Sequence, residues 1–263
     1  PKGTPVTLTL YRPSEESEFK LEIVRDTIPL ISVRSAMLGD VGYIAISEFK
    51  QTTYDELDAE IKELQASNPR AYIIDLRNNP GGFVNQAQNV VGRFVPEGLS
   101  HIQVSSDGTR EEYPVRQNGE AQTLFDAPLV ILVNEGSASA SEIVSGALQD
   151  AERAPLLGTK TFGKGSVQHA HDLLDGSQLR VTVAQWLTPA GREIHREGIE
   201  PDYAVPFDAD SAAYPVECLF GRQPLEDEST CGDSQLFWAL KLLEGETPPP
   251  PPAPTPTPTP GTR

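Results

Sequence analysis

The stretch AYIIDLRNNPGG, residues 71–82, carries the reading of the fold. Tyr72, Ile73 and Ile74 follow one another in a nearly continuous apolar run from Ala71 to Leu76. A short run of this kind bounded by turn residues predicts a strand. Asn78-Asn79-Pro80-Gly81-Gly82 then turns the chain, since these residue types supply the backbone angles a tight turn needs. A helix is expected after it, around Asn85 to Phe94. Upstream, Tyr43 to Ile46 predicts a further strand, and Thr53 with Glu56 three residues later is a capping-box signature for a helix. The apolar positions of that helix, Tyr54, Leu57, Ile61 and Leu64, fall on one face. Downstream, Leu129 to Val133 is a strand rich in β-branched residues, Gly136 breaks the chain, and a helix begins near Ala138 and runs to about Asp150. Strand and helix in alternation predict an α/β fold, a mainly parallel sheet covered by helices. Reactive groups in such sheets collect at the carboxyl ends of the strands, which singles out Asn78–Gly82 and Glu135–Ser139.

The flanks differ from this core. At the amino end, Val6, Leu8 and Leu10 alternate with Thr7 and Thr9 as in a strand, and Phe19 to Val24 and Ile28 to Val33 predict two more. Three strands with no helix between them read as the end of a small β-rich module whose beginning is missing. At the carboxyl end, residues 247–263 are dominated by Pro and Thr and predict an extended, solvated tail. The whole chain has 263 residues, of which 38% are hydrophobic and 22% charged, with a formal net charge of −17. Such acidity repels phosphate backbones and argues against a nucleic-acid partner. The apolar stretch Ala127 to Val133, interrupted by Pro128, is far too short to cross a bilayer. Cys218 and Cys231 match no zinc-site spacing. They are compatible with one disulfide closing a short loop or with two separate thiols.

The two singled-out loops contain the chemistry. Ser137, Ser139 and Ser141 sit in a turn of small residues entering a helix, where unpaired N–H groups and partial positive charge could stabilise an oxyanion. A serine there is equally at home as a helix cap. Around the four histidines, His101, His169, His171 and His195, no recognisable acid–histidine setting appears, and no G-x-S-x-G elbow surrounds the serines. The other common base is a desolvated lysine, because burial disfavours the ammonium form. Lys164, between Gly163 and Gly165, is the candidate, and Gln168 could orient its amine without adding a charge that would hold the proton. The same segment, Gly158 to Lys164, matches G-x-x-x-x-G-K of a phosphate-binding loop, but Gly165 stands where that motif needs Ser or Thr.

Four blocks together carry a resemblance. They are Asp75 through Gly82, Gly136 through Ile143, Gly158 through Gln168, and Thr188-Pro189-Ala190-Gly191-Arg192 continuing to Gly198-Ile199-Glu200-Pro201-Asp202. In this order they resemble the signature of the carboxyl-terminal processing (tail-specific) serine proteases, over roughly residues 37–206. The resemblance implies a ClpP/crotonase-like core and a Ser-Lys dyad: Ser139, 25 residues before Lys164, as nucleophile, Lys164 as general base and Gln168 as its orienting partner. It implies oxyanion donors from the N–H of Ala140 and from one of Gly81 and Gly82, and neither a metal nor an organic cofactor. Arg77 is given no role.

The family usually carries a PDZ domain before this core. Residues 1–36 are expected to be the end of that domain and its link, 37–206 the protease core, 207–246 a segment with a helix packing on it, and 247–263 a disordered tail. The implied function is cleavage of unfolded or C-terminally accessible proteins. The alternative is a catalytically silent peptide-binding relative on the same scaffold. Implied partners are protein or peptide substrates with accessible carboxyl termini, with room for a regulatory adaptor and a homo-oligomer. The implied setting is extracytoplasmic, in the periplasm or at the cell surface, with anchorage through the missing amino-terminal part left open.

Overall fold

A computed structural model describes residues 1–27, 30–117, 123–207 and 233–250. It divides into two compact units, residues 1–31 and the remainder. The first is a hairpin of β1 (Pro5–Arg12) and β2 (Ser17–Val24). Its antiparallel register pairs Val6 with Ile23, Leu8 with Leu21 and Leu10 with Phe19, so the alternation seen in the sequence gathers the apolar side chains on one face.

The second unit is built on a six-stranded sheet. Its strands are β3 (Val33–Leu38), β4 (Val41–Ile46), β5 (Ala71–Asp75), β8 (Leu129–Val133), β9 (Leu156–Gly158) and β12 (Tyr203–Ala204). The spatial order is β12-β9-β8-β5-β4-β3. Every pairing is parallel except that of β3 with β4. Three helices, α1 (Thr53–Gln65), α2 (Val84–Val91) and α3 (Ala140–Asp150), form the connections. The sheet is apolar on both faces because both are covered. Ile44, Ile46, Tyr72, Ile74, Ile131 and Val133 point into one core with Leu57, Ile61, Val90, Ile143 and Leu148 of the three helices. The alternate residues Tyr43, Ile73, Val130 and Leu132 point into a second core closed by Leu236 and Ala239 of α4 (Ser234–Leu243).

A second, antiparallel sheet, in the order β10-β11-β6-β7, stands beside the first. It comprises β6 (Leu99–Ser105), β7 (Arg110–Pro114), β10 (Ser166–Asp172) and β11 (Gln178–Leu187). β6, β7 and the sheet they complete were not expected.

Three local expectations need correction. The third strand of the amino-terminal module was placed at Ile28 to Val33, with the core beginning at residue 37. The strand instead begins at Val33 and pairs with β4 in the core sheet, and the division between units falls at Ile31/Ser32. The cause is Glu56, whose carboxylate accepts from the N–H groups of Ser32 and Val33 (2.7 and 3.1 Å) and from the Ser32 hydroxyl (2.6 Å). Partial burial alone would raise the proton affinity of Glu56, but these bonds and one from Thr52 outweigh it and hold the group below its ordinary value. Glu56 therefore ties β3 to α1 rather than closing a capping box; the residue at the N-cap is Thr52. The two cysteines and the Pro/Thr stretch from residue 251 onward lie outside the described residues.

Candidate active site

The turn between β8 and α3 holds Ser139 at φ 57° and ψ −115°. A positive φ is uncommon for a residue with a Cβ, and sparsely populated conformations of this kind cost on the order of 1–3 kcal/mol. A serine acting only as a helix cap sits in the extended region, so capping does not account for the geometry. The strain is held from several sides. The Ser137 hydroxyl donates to the Leu76 carbonyl (2.8 Å), and the Ser141 hydroxyl donates to the Asn79 carbonyl (2.9 Å). The Ala138 N–H donates to that same Asn79 carbonyl (2.9 Å). Ser137 and Ser141 are fully buried, whereas Ser139 is half-buried. Of the three serines, geometry leaves Ser139 as the reachable one.

The Gly-rich turn lies directly against it. Gly81 has φ 98°, and a Cβ there would come within 2.7 Å of both the Ser139 Cβ and the Ala138 carbonyl oxygen. Asn79, completely buried, pins this turn. Its Nδ2 donates to the Ile46 carbonyl (2.7 Å), and its Oδ1 accepts from the Gly81 N–H (2.9 Å). That bond separates the two glycines that the sequence left open, because the Gly81 N–H is already engaged. For Gly82, no hydrogen bond to its N–H is found among the described residues. Ala140 opens α3, and an N–H in a first helical turn has no partner within the helix.

The second loop, residues 159–165, is fastened to the serine turn by a residue whose role the sequence did not suggest. Glu142 is fully buried and its carboxylate accepts four hydrogen bonds. Oε1 takes the Thr161 hydroxyl (2.6 Å) and the Gly163 N–H (2.7 Å). Oε2 takes the N–H of Ser139 (2.8 Å) and that of Lys164 (2.9 Å). One oxygen therefore joins the main chains of Ser139 and Lys164. The available signal was Ser139-x-x-Glu142, itself a capping-box pattern. The loop is held from behind as well. The Trp186 indole donates to the Lys164 carbonyl (3.1 Å), and a Cβ on Gly165 would collide with the His195 main-chain nitrogen at 2.6 Å.

The side chains at this second loop stand apart from the expectation. Lys164 was expected to be desolvated, but it is exposed. Among the described residues no hydrogen bond joins its amine to Ser139. Gln168 is also exposed, and its amide reaches Thr182 Oγ1 at 3.4 Å rather than Lys164. The phosphate-loop reading fails on structure too. The loop runs into strand β10 instead of a helix, and the N–H groups of Gly163 and Lys164 already face a carboxylate. Among the described residues no cluster of His, Cys, Asp and Glu could hold a metal ion.

Arg77 has a clear place beneath the Gly-rich turn. Its guanidinium, almost fully buried, pairs with Asp75 (2.6 Å) and Asp233 (2.8 Å) and donates to Gln235 (3.1 Å). The Tyr43 hydroxyl completes the group by donating to Asp75 (2.6 Å). Burial by itself would weaken the hold of Arg77 on its proton, but Asp75 and Asp233 outweigh it and the pKa lies well above the usual range. The network fastens α4 to the carboxyl end of β5.

Comparison with known proteins places the chain in a family. Residues 40–205 match peptidase family S41, and the chain belongs to that family. It is 38% identical to a carboxy-terminal-processing protease of Bartonella bacilliformis, over 94% of this chain and 62% of that protein. It is 42% identical to the carboxy-terminal processing protease CtpA of Bacillus subtilis, over 76% of this chain and 42% of that protein. Among solved structures, the photosystem II D1 C-terminal processing protease superposes with a TM-score of 0.61 at 31% identity, over 78% of this chain and 56% of that one. The chain thus spans about half the length of the relatives it matches.

Proposed function

We propose that this chain is the catalytic core of a serine endopeptidase that cleaves unfolded or C-terminally accessible proteins through Ser139 and Lys164. The observation that carries the reading is the strained, reachable Ser139 whose N–H shares one Glu142 oxygen with the N–H of Lys164. In the proposed reaction, Ser139 Oγ attacks the peptide carbonyl carbon and its proton passes to the Lys164 amine. The oxyanion is met by the N–H of Ala140 and by that of Gly82, the glycine donor left free. The amine then protonates the leaving nitrogen as the C–N bond breaks, and water hydrolyses the ester by the same path. Lys164 would have to turn onto Ser139 and lose water as substrate covers it, with Gln168 fixing the amine. We also propose an extracytoplasmic setting. Among the described residues no helix is long and apolar enough to cross a membrane.

The test compares the chain with Ser139→Ala on a loosely folded protein, alongside a serine-directed acylating probe located by mass spectrometry. The expected result is fragments and a probe adduct on Ser139 with the intact chain, and a loss of cleavage of at least about a thousandfold in the variant. Equal cleavage by both proteins would remove Ser139 from the mechanism. The exposure of Lys164 favours a second reading, a peptide-binding relative without chemistry; peptide binding with neither acylation nor cleavage would establish it.

A further inference from the structure

Among the described residues the core's two sheets have four edge strands, and three of them are closed to further pairing. β12 has only two residues. β7 carries Arg110, Glu111, Glu112 and Pro114, and charges and proline on an edge discourage a new strand. β3 lies against α1, with the Ser35 hydroxyl bonded to Glu60 at 2.5 Å. The fourth edge is β10. Among the described residues it pairs on one side only, with β11. Among the described residues no other backbone or side-chain hydrogen bond reaches the main chain from Ser166 to Asp172. Gln168, Ala170, His171 and Asp172 are exposed, and the strand contains neither proline nor lysine.

The position of this open edge matters more than its existence. β10 begins two residues after Lys164, whose N–H is tied through Glu142 to that of Ser139. A register shift between Val167 and Gln168 bends the edge at its near end, the kind of irregularity that re-aims a strand beside a reactive site. Seven residues extend about 23 Å at roughly 3.3 Å each, and alternate residues of an antiparallel edge direct their N–H and C=O groups outward.

We infer that the free edge of β10 is the substrate's docking rail: an extended polypeptide adds to it as a further strand, recognised through its main chain, and is led along it to Ser139. The inference rests on the peptidase reading for what the rail delivers, and on the edge itself for the binding. Main-chain recognition accepts many side-chain sequences provided the segment can be extended. A folded domain, whose backbone is already paired, is refused. The strand would also lie across the exposed Lys164 and exclude water from it.

The test uses the Ser139→Ala chain, which binds without consuming peptide, and a fluorescein-labelled eight-residue apolar peptide methylated on one backbone nitrogen at a time. Each N-methyl removes one donor. Methylation at alternate positions should weaken binding by about fivefold or more, and the positions between should stay within about twofold. Hydrogen exchange should slow at alternate amides of residues 166–172 when the parent peptide binds. A uniform methylation profile, protection at another strand, or no binding of the parent peptide would each overturn the rail. Alternating binding without cleavage by the Ser139 chain would keep the rail and sink the peptidase; cleavage without alternation would do the reverse.

Discussion

Ser139 stands on the parallel sheet and Lys164 at the head of the antiparallel one, and the two halves of the site are finished to different degrees. The serine half is anchored by buried Asn79, Ser137, Ser141 and Glu142, and these bonds hold a backbone conformation that would otherwise relax. The lysine half has an equally fixed main chain, through Glu142 and Trp186. The side chains of Lys164 and Gln168 are nevertheless in solvent. On the proposed reading the difference is a division of labour: the nucleophile and oxyanion donors would be preorganised, and the base would be completed by whatever covers the antiparallel edge.

Breaking the link between the halves should have the largest effect of the substitutions below. Glu142→Gln replaces a carboxylate that satisfies four donors with an amide that can accept on one side only. Disrupting a buried charged network of this kind costs about 4 kcal/mol, so denaturant melts should show a loss of that order. In addition, acylation of Ser139 should fall even at temperatures where the variant remains folded. A variant with unchanged stability and full acylation would show that the halves are positioned independently.

A slightly smaller effect should separate the sheets by pH. His101, on β6 of the antiparallel sheet, is buried and stacked on Tyr113 at 4.4 Å, and burial lowers its pKa to about 4. The unfolded chain takes up this proton near pH 6.5 and the folded chain resists it down to about 4. Folding stability attributable to His101 is therefore full above pH 6.5 and declines across that window, by about 3 kcal/mol in total. Urea titrations between pH 7 and 4 should show the decline, and His101→Phe should flatten it. Glu56, held below its ordinary carboxylate value, acts only at lower pH, where its bonds to Ser32 and Val33 are lost as it protonates. An unaltered pH profile in His101→Phe would place the acid sensitivity elsewhere.

The smallest effect on stability should fall at Ser139 itself. Ser139→Gly removes the Cβ from a backbone at φ 57° and ψ −115°, and relief of that strain should raise stability by about 1 kcal/mol while abolishing acylation. A destabilised glycine variant would mean that the serine turn is not strained in the folded protein.

The same contrast explains what the sequence made readable. β4, β5 and β8 are buried on both faces, so their apolar runs announced strands, and with them the parallel sheet and both loops. β7 is an exposed edge reading Arg-Glu-Glu-Tyr-Pro; charges that protect an edge also hide it from a search for hydrophobic alternation, and the antiparallel sheet was missed with it. At the site, small residues and glycines drew attention to the serine turn and to Lys164, and the resemblance carried by the four blocks singled out Ser139. The four bonds of Glu142 were not legible, since three of its donors lie 19, 21 and 22 residues further along the chain. Nor could sequence tell Gly81 from Gly82, which differ in that the Asn79 side chain engages the N–H of Gly81.

The buried pairing of Arg77 with Asp233 bears on how the molecule would respond to being nicked. A cut anywhere within residues 208–232 would sever the covalent route to α4 but not the ion pair, the Gln235 bond or the apolar contacts of Leu236 and Ala239. The two fragments should co-purify as one particle and separate only in denaturant. Removing α4 outright is a different injury, because it leaves Arg77 with Asp75 alone and opens the second core to water.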